Sequence, residues 1–209
     1  MTELVFYTNP RSRGRMVRWM LEEVGAPYRT EVLDYATSMK SDAFRALNPM
    51  AKVPVITHGA VVVSEVAAIC AYLADAFPDA SLAPAPSDRG AYYRWLFFAA
   101  GCVEPAMTNA SLGFVPPPER RAMVGYASTL ETLDALETAV AGREFIAGDR
   151  FSATDLYVTS QIGFGLAFGM ITDRPVLATY AARHRDRPAA IRAREIDDAL
   201  LPEEMRGKM

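Results

Sequence analysis

The sequence predicts a chain of two parts, a small α/β domain followed by an all-α, helical domain. In residues 1–78, short β-type runs alternate with segments whose apolar residues recur at helical spacing. Residues 78–90 hold three prolines with small and charged residues, a composition typical of a linker, which we place at residues 79–90. Helical spacing then continues through residues 91–209, so each part has the size of an ordinary domain.

The N-terminal part is expected to follow the order β-α-β-(α)-β-β-α with a mixed sheet. Strands are expected at Leu4–Thr8, Tyr28–Leu33, Val53–Thr57 and Ala60–Val63, and helices at Arg13–Val24 and Glu65–Phe77. Gly25 and Pro27 end the first of these helices, and Pro78 ends the second. His58 and Gly59 separate the last two β-type runs, which indicates a hairpin.

The C-terminal part is predicted to contain helices alone. They are expected at Ala91–Met107, Glu119–Val140, Ala153–Ile171, Pro175–Arg185 and Ala189–Arg194. Ser152 and Asp155 match a capping box at the start of the third helix, which is a folding element and not part of an active site. Gly163, Gly165 and Gly169 lie within an apolar helical run, so they indicate close helix packing and not a dinucleotide-binding loop.

Composition and charge exclude several classes of protein. Hydrophobic residues make up 51% and charged residues 22% of the 209 residues, which excludes a disordered or collagen-like chain. The net charge of −3 has the wrong sign for a protein that binds nucleic acid. The longest strongly apolar stretches, such as Ile162–Ile171, are shorter than the roughly 20 residues that a membrane-spanning helix needs.

The start of the chain and its cysteines indicate a cytoplasmic protein. No basic segment precedes an apolar one at the N-terminus, so we expect no signal peptide. Cys70 and Cys102 lie far apart within apolar helical pattern, as expected of free thiols in a reducing compartment. Together with His58 and His184 they show no metal-binding spacing, and we expect no metal.

The first strand-to-helix turn is unusually basic. Four arginines lie in the turn and the start of the helix that follows: Arg11, Arg13, Arg15 and Arg18. Cations at a helix N-terminus oppose the helix dipole, whereas the same terminus attracts anions, so a bound anion is one interpretation. A solvated basic face with pairs such as Arg18–Glu22 is the other, and both stay open. Ser12 is expected to be the N-cap of this helix.

Two further turns are candidates for binding a peptide. Pro54 opens a β-type run and leaves the backbone of Val53 free to pair, and their peptide bond is a candidate for the cis form. Glu65 lies at a strand-to-helix turn, where a helix cap is the ordinary explanation. We expect all three turns at one edge of the sheet. There, basic groups would bind the carboxylates of a zwitterionic peptide, Glu65 its amine, and Val53 its backbone.

These same residues resemble the glutathione S-transferase superfamily over the whole chain. Tyr7–Trp19, YTNPRSRGRMVRW, is similar to the opening strand and helix of that family, and Asn48–Val55, NPMAKVPV, resembles its cis-proline loop. Glu65–Leu73, EVAAICAYL, resembles its Glu-Ser-x-Ala-Ile-x-x-Tyr-Leu helix start, with Val66 in the place of the usual serine. That serine's hydroxyl helps to hold a carboxylate of glutathione, and here only the backbone N–H of Val66 is available for this.

The resemblance implies a thioredoxin-like N-terminal domain, a C-terminal helical bundle and a detoxification enzyme that uses glutathione as co-substrate. The implied residues that bind glutathione are Lys52, Val53, Pro54, Glu65 and Val66. The implied second substrate is a hydrophobic small-molecule electrophile. A homodimer is also implied, in which the α/β domain of one chain packs on the helical domain of the other.

The resemblance offers three side chains that could activate the glutathione thiol. Ser12 at the helix start is favoured because it lies in the dipole field of the helix. Tyr7 at the end of the first strand and Asn9 in the turn are the alternatives, and Arg13 or Arg15 would add positive potential. The electrophile pocket is expected along the first helix after the linker, where Pro105 is expected to bend the chain. Its candidate side chains are Tyr92, Trp95, Phe98, Cys102, Met107 and Phe114, most of them expected in the core.

Two other functions are compatible with the same fold. One is a glutathione-dependent isomerase, dehalogenase or peroxidase, and the other is a non-catalytic protein that binds glutathione. The chain has no Cys-x-x-Cys motif and no cysteine near the first helix start, so a disulfide-exchange function fits poorly.

Overall fold

The computed structural model describes residues 2–201 and 203–205, and these form two compact units. One unit comprises Met1–Leu82 together with Arg187–Met209, and the other comprises Ala83–Asp186. The sequence-based domains, 1–78 and 91–209 with a linker at 79–90, stay a prediction. Their grouping differs from these units at the C-terminus, because the last helix packs along the first helix of the chain. Residues 1, 202 and 206–209 of those predicted ranges lie outside the described residues.

The first unit holds a four-stranded mixed sheet with helices on both faces. Its strands are β1 Leu4–Thr8, β2 Arg29–Val32, β3 Val55–His58 and β4 Val61–Ser64. Its helices are α1 Gly14–Val24, α2 Asp42–Leu47, α3 Val66–Ala76 and α9 Pro188–Ala199. The strand order is β2-β1-β3-β4, with β1 parallel to β2 and antiparallel to β3, and β3 antiparallel to β4. This is the thioredoxin-like arrangement that the sequence predicts.

Successive side chains of β1 point to opposite faces of the sheet and contact different helices. Phe6 is fully buried beneath the guanidinium of Arg18 from α1, whose carbon lies 5.0 Å from the Phe6 ring centroid. Its neighbour Tyr7 packs on Phe44 of α2, with ring centroids 5.9 Å apart. Tyr7 therefore belongs to the cluster around Met39, Phe44 and Val55 on the α2 face.

The strand bounds differ from the predicted ones where backbone geometry interrupts pairing. β3 begins at Val55, two residues later than predicted, because Pro54 has no N–H to donate to a ladder. The hairpin between β3 and β4 is confirmed, but its two turn residues are Gly59 and Ala60. Gly59 has a φ of 61°, a conformation that glycine adopts without strain.

The second unit is helical, as the sequence predicts. Its helices are α4 Gly90–Phe98, α5 Glu104–Ser111, α6 Thr129–Val140, α7 Ala153–Ala167 and α8 Pro175–Arg185. A π-helical segment, Ala99–Val103, joins α4 to α5 where the sequence predicts one helix that bends near Pro105. Pro105 cannot donate to the carbonyl four residues before it, and a wider turn accommodates its ring. No helix among the described residues is long and apolar enough to cross a membrane.

Two predicted helices of this unit are shorter in the structure. The predicted start at Glu119 is wrong, because Pro118–Met123 forms a 3₁₀ turn and α6 begins only at Thr129. The side chain of Ser128 caps α6 by accepting from the backbone N–H of Glu131 at 3.1 Å. Helix α7 ends at Ala167 and not at Ile171, since Gly169 adopts a φ of 67° just beyond its end. Close packing is confirmed at Gly165, where an added Cβ would lie 2.6 Å from Ile171, and is wrong for Gly163 and Gly169, where nothing lies within 4 Å.

The predicted capping box of α7 is confirmed and is part of a larger buried network. Asp155 is fully buried, and its Oδ2 accepts from the backbone N–H of Ser152 at 2.9 Å and from its hydroxyl at 2.7 Å. Its Oδ1 accepts from the backbone N–H of Ile146 at 2.7 Å and from the hydroxyl of Tyr180 at 2.5 Å. Burial and the Asp155 charge raise the pKa of Tyr180, so its hydroxyl keeps its proton as a donor.

We expect Asp155→Ala to destabilise the fold by about 2–4 kcal/mol, because it leaves several buried donors without a partner. Ser128→Ala is the matched control. It removes a solvent-exposed cap and should cost about 1 kcal/mol. Thermal and urea unfolding measure both values. Equal losses in the two variants would show that the contacts of Asp155 beyond the cap contribute nothing.

Candidate functional site

The sheet register brings the three predicted turns to one edge, as the sequence predicts. Tyr7 pairs with Val55 across β1 and β3, and Val55 pairs with Ser64 across β3 and β4. The loop after β1, the loop before β3 and the turn after β4 therefore leave the sheet at the same end. We call this end, with the residues of the three turns, the candidate site.

The first turn is closed by hydrogen bonds of its own residues. The Ser12 hydroxyl donates to the Asn9 carbonyl at 2.7 Å and accepts from the Gly14 N–H at 2.9 Å. The Asn9 side chain donates to the Leu33 carbonyl at 2.8 Å and accepts from the Arg11 N–H at 3.0 Å. Helix α1 begins at Gly14, so the predicted N-cap at Ser12 is wrong by one position, although Ser12 still binds the first helical N–H.

The arginines of the first turn separate into two groups. Arg11 is exposed, with its guanidinium carbon 5.9 Å from the ring centroid of Tyr35, and Arg13 is half-buried. Arg15 and Arg18 instead pair with carboxylates of α9. Arg15 Nη2 lies 2.5 Å from Asp198, and the fully buried Arg18 donates to Asp197 at 3.1 Å.

Arg15 and Arg18 thus correct both interpretations of the basic helix start. Their counter-ions come from the chain itself, so they are neither a solvated face nor a site for an anionic ligand. Arg18 also donates to the hydroxyls of Tyr28 and Thr30, and no bond to Glu22 forms. Burial raises the pKa of Asp197, an effect that the two guanidinium charges oppose. Burial likewise raises the pKa of Tyr28 to about 12.

The second turn is held in shape by two polar side chains that the sequence analysis did not single out. Val53–Pro54 is a cis peptide bond, and Ala51 has a φ of 51°. Asn48 donates from its amide to the carbonyl of Lys52 at 2.8 Å, and Lys40 donates from Nζ to the carbonyl of Ala51 at 3.0 Å. The cis form that the sequence offered as a candidate is therefore present.

The predicted binding residues of this turn differ in exposure. The Lys52 side chain is exposed, Val53 is half-buried against the α2 cluster, and Pro54 is buried. Within the described part of the chain, the backbone of Val53 makes no hydrogen bond. A main chain that is fixed in place and unpaired just before a strand can pair with the backbone of an extended peptide.

The third turn holds the most strained residue of the candidate site. Glu65 has a φ of 67° and a ψ of 119°, a conformation that costs a residue with a side chain about 1–3 kcal/mol. Its side chain is exposed and forms no cap on α3, so the ordinary explanation of a helix cap is wrong here. Val66, the first residue of α3, is buried. Its backbone N–H lies in the first helical turn, which offers no intrahelical partner.

Tyr7, the alternative hydroxyl, has a different environment from Ser12. It is half-buried on the α2 face, and its hydroxyl makes no hydrogen bond to any residue within 2–201 or 203–205. Ser12 lies in the turn itself with its hydroxyl proton already donated. The structure therefore brings both hydroxyls to the same end of β1 in different states of hydrogen bonding.

The six side chains expected along the electrophile pocket belong to the second unit, and the expectation that most of them lie in its core is wrong, because only two are buried. Tyr92 and Met107 are in the core, as expected, and Phe114 is exposed. Trp95, Phe98 and Cys102 are half-buried, and Arg94 stacks on Trp95 at 4.5 Å.

Protein thiols are poorly suited to be nucleophiles in this chain. Cys70 is fully buried, and burial raises the pKa of its thiol to about 12. Burial also raises the pKa of Cys102, whose thiol donates to the Gly125 carbonyl at 3.2 Å. Among the described residues, no group of three or more His, Cys, Asp or Glu side chains could hold a metal ion. A reactive thiol at the candidate site would therefore have to be supplied by a ligand.

Asp197 and Asp198 are the main residues that sequence reasoning missed. One signal was present, because acidic residues at the end of a helix oppose its dipole just as the arginines of α1 do at its start. Because the start of α1 carries positive side chains and the end of α9 carries negative ones, pairing the two helices lets these charges neutralise each other.

Comparison with known proteins shows that the chain is similar to glutathione S-transferases. The family model for the glutathione S-transferase N-terminal domain matches residues 12–76. Glutathione S-transferase U2 of Arabidopsis thaliana is 30% identical over 168 residues, which cover 78% of this chain and 70% of that protein. Glutathione S-transferase 3 of Schizosaccharomyces pombe is 26% identical over 219 residues, which cover 95% of this chain and 90% of that protein.

A solved structure agrees along nearly the whole chain. A sphingomonad glutathione S-transferase complexed with glutathione superposes with a TM-score of 0.75 and is 29% identical. The match covers 92% of this chain and 98% of that one. Both units of the chain therefore have counterparts in that structure.

Proposed function

Because the chain belongs to the glutathione S-transferase family, we propose that it binds glutathione at the candidate site and conjugates it, through its thiolate sulfur, to a hydrophobic electrophile. The observation that carries the proposal is the strained Glu65, held at the same sheet edge as the unpaired backbone of Val53. Strain of this kind persists where a ligand site requires it. The relatives and the glutathione-bound neighbour support the same conclusion.

In this proposal the three turns each bind a part of glutathione. Val53, next to Pro54, pairs with the backbone of the tripeptide as an added strand. Glu65 binds the free amine, and the N–H of Val66 binds the neighbouring carboxylate at the positive end of α3. Lys52 is the exposed cation for the other carboxylate. Arg15 does not take part, because Asp198 already neutralises it.

Thiol activation is proposed to occur at the first turn. A thiol near its ordinary pKa is mostly protonated at neutral pH, and only the thiolate attacks. Ser12 can donate to the sulfur if its hydroxyl turns from the Asn9 carbonyl, which exchanges a neutral hydrogen bond for a stronger charge-assisted one. Arg13 adds positive potential, and Tyr7 and Asn9 are the alternative donors. The thiolate then forms a carbon–sulfur bond as the electrophile releases its leaving group.

A second candidate function is non-catalytic binding of glutathione. The engaged hydroxyl of Ser12 and the apolar side chain of Val66 favour it, since both reduce the polar groups offered to the ligand. Ultraviolet absorbance of bound thiolate at neutral pH distinguishes an enzyme from a binding protein. Product analysis over a panel of electrophiles distinguishes conjugation from isomerase, dehalogenase or peroxidase chemistry.

A homodimer in the cytoplasm stays a prediction and completes the proposal. The free thiols of Cys70 and Cys102 are in keeping with a reducing compartment. A detoxification role follows only if the electrophile panel yields conjugates of foreign compounds.

We expect Glu65→Gln to weaken glutathione binding about ten- to a hundredfold, because a charge-assisted bond to the amine contributes about 1.5–3 kcal/mol. Isothermal calorimetry measures this against Glu195→Gln, an exposed glutamate on α9. Unfolding stability should stay close to that of the wild type in both variants. Absence of glutathione binding to the wild type would overturn the proposed function.

We expect Ser12→Ala to raise the apparent pKa of bound glutathione and to lower kcat about ten- to a hundredfold, because one charge-assisted donor is lost. Tyr7→Phe should change both much less, since Tyr7 lies outside the helix turn. The pH–rate profile is the measurement. A lost donor moves its acid limb to higher pH, whereas fraying of α1 lowers only the plateau. If the acid limb moves in Tyr7→Phe and not in Ser12→Ala, Tyr7 is the donor to the thiolate and Ser12 only holds the turn.

A further inference from the structure

Arg15 joins the first turn of the candidate site to the last helix of the chain. Its Nη1 donates to the carbonyl of Pro10 at 3.2 Å, and its Nη2 donates to Asp198 at 2.5 Å. Pro10 is the buried centre of the turn that runs from Asn9 to Ser12. A single planar guanidinium therefore fixes the turn on one side and α9 on the other.

This contact differs from the other contacts of the turn. The remaining hydrogen bonds of Asn9, Arg11 and Ser12 lead to neighbours within the turn, to Leu33 after β2 or to the start of α1. Of the hydrogen bonds that residues 9–12 make within the described chain, the one to Arg15 is the link to α9. Without Arg15, none of these hydrogen bonds would connect the carbonyl of Pro10 to the rest of the described unit.

Docking of α9 on α1 does not depend on this bridge. Three further ion pairs join the two antiparallel helices along their length: Arg18–Asp197, Arg192–Glu22 and Arg187–Glu23. The first of them is fully buried. Arg15 and Asp198 keep 20% and 27% of their side chains exposed, so solvent reaches this pair more than it reaches the buried Arg18–Asp197 pair, and three ion pairs between the helices persist without it. The Arg15–Asp198 pair therefore affects the position of the turn more than the stability of the fold.

We propose that Arg15 and Asp198 are positioning residues for thiol activation, through which α9 holds the Asn9–Ser12 turn in the geometry that the reaction needs. The inference rests on the proposed function, because it concerns the turn that carries Ser12. Small displacements of a catalytic group lower the rate strongly even when substrates still bind. Asp198 thereby acts on the reaction from the far end of the sequence without touching glutathione.

The test compares Asp198→Asn with Arg192→Gln, which removes an α1–α9 ion pair remote from the turn. Asp198→Asn should lower kcat about five- to twentyfold, raise the apparent pKa of bound glutathione, and leave the KM for the electrophile within twofold. Its Tm should match that of Arg192→Gln, whose kcat should equal that of the wild type. Asp198→Glu should restore part of the rate, and adding Arg15→Lys to Asp198→Asn should lower it no further, because both act through one bridge.

Amide hydrogen exchange gives a readout that is independent of activity. The N–H groups of Arg11, Ser12 and Gly14 are hydrogen-bonded within the turn. They should exchange at least fivefold faster in Asp198→Asn than in Arg192→Gln. Unchanged exchange, or equal kcat in the two variants, would overturn the inference. A wild type that binds no glutathione would overturn the proposed function, and exchange would then decide separately whether the bridge holds the turn.

Discussion

The antiparallel pairing of β3 with both β1 and β4 is the constraint on which the candidate site depends. It sets Tyr7, Val55 and Ser64 in one row across the sheet. Because a strand pairs through its backbone, this row is fixed irrespective of the side chains in the turns beyond it. The turns are then free to vary in chemistry while their starting points stay only a few ångströms apart, at the usual strand spacing of about 4.8 Å.

Two of the four described non-glycine residues with positive φ lie in the turns of the candidate site, whereas Ser81 and Asp173 lie elsewhere. Glu65 and Ala51 adopt positive φ values, and the backbone of Val53 is unpaired among the described residues. In the second unit, by contrast, the carboxylate of Asp155 accepts four hydrogen bonds from buried or capping donors. Strain at Glu65 and the unpaired backbone of Val53 therefore mark the turns of the candidate site, whereas the Asp155 network is a satisfied folding element.

Sequence reasoning predicted the local features of this protein and missed the long-range ones. Strand positions, the hairpin and the three turns follow from periodicity and from residues such as Pro54 and Gly59, whose effects act within a few positions. The partners of Arg15 and Arg18 lie about 180 residues away, and no periodic pattern reports a contact at that distance. The sequence therefore predicted that the three turns meet, but neither interpretation left open for the basic turn included the carboxylates of α9 as partners of Arg15 and Arg18.

The pairing of α1 with α9 resolves two electrostatic costs at once. Arginines at the start of α1 oppose its dipole, and Asp197 and Asp198 near the end of α9 oppose the dipole of that helix. In an antiparallel pair these termini meet, so each helix places its charges against the favourable end of the other and against opposite charges. Arg18 and Asp197 can then be buried, whereas either one alone would carry a large desolvation cost. Because Asp198 and Asp197 neutralise Arg15 and Arg18, these cations do not oppose the positive end of α1 at the turn where the proposed thiolate would be stabilised. The same ion pairs hold the helix from the C-terminus in the first unit.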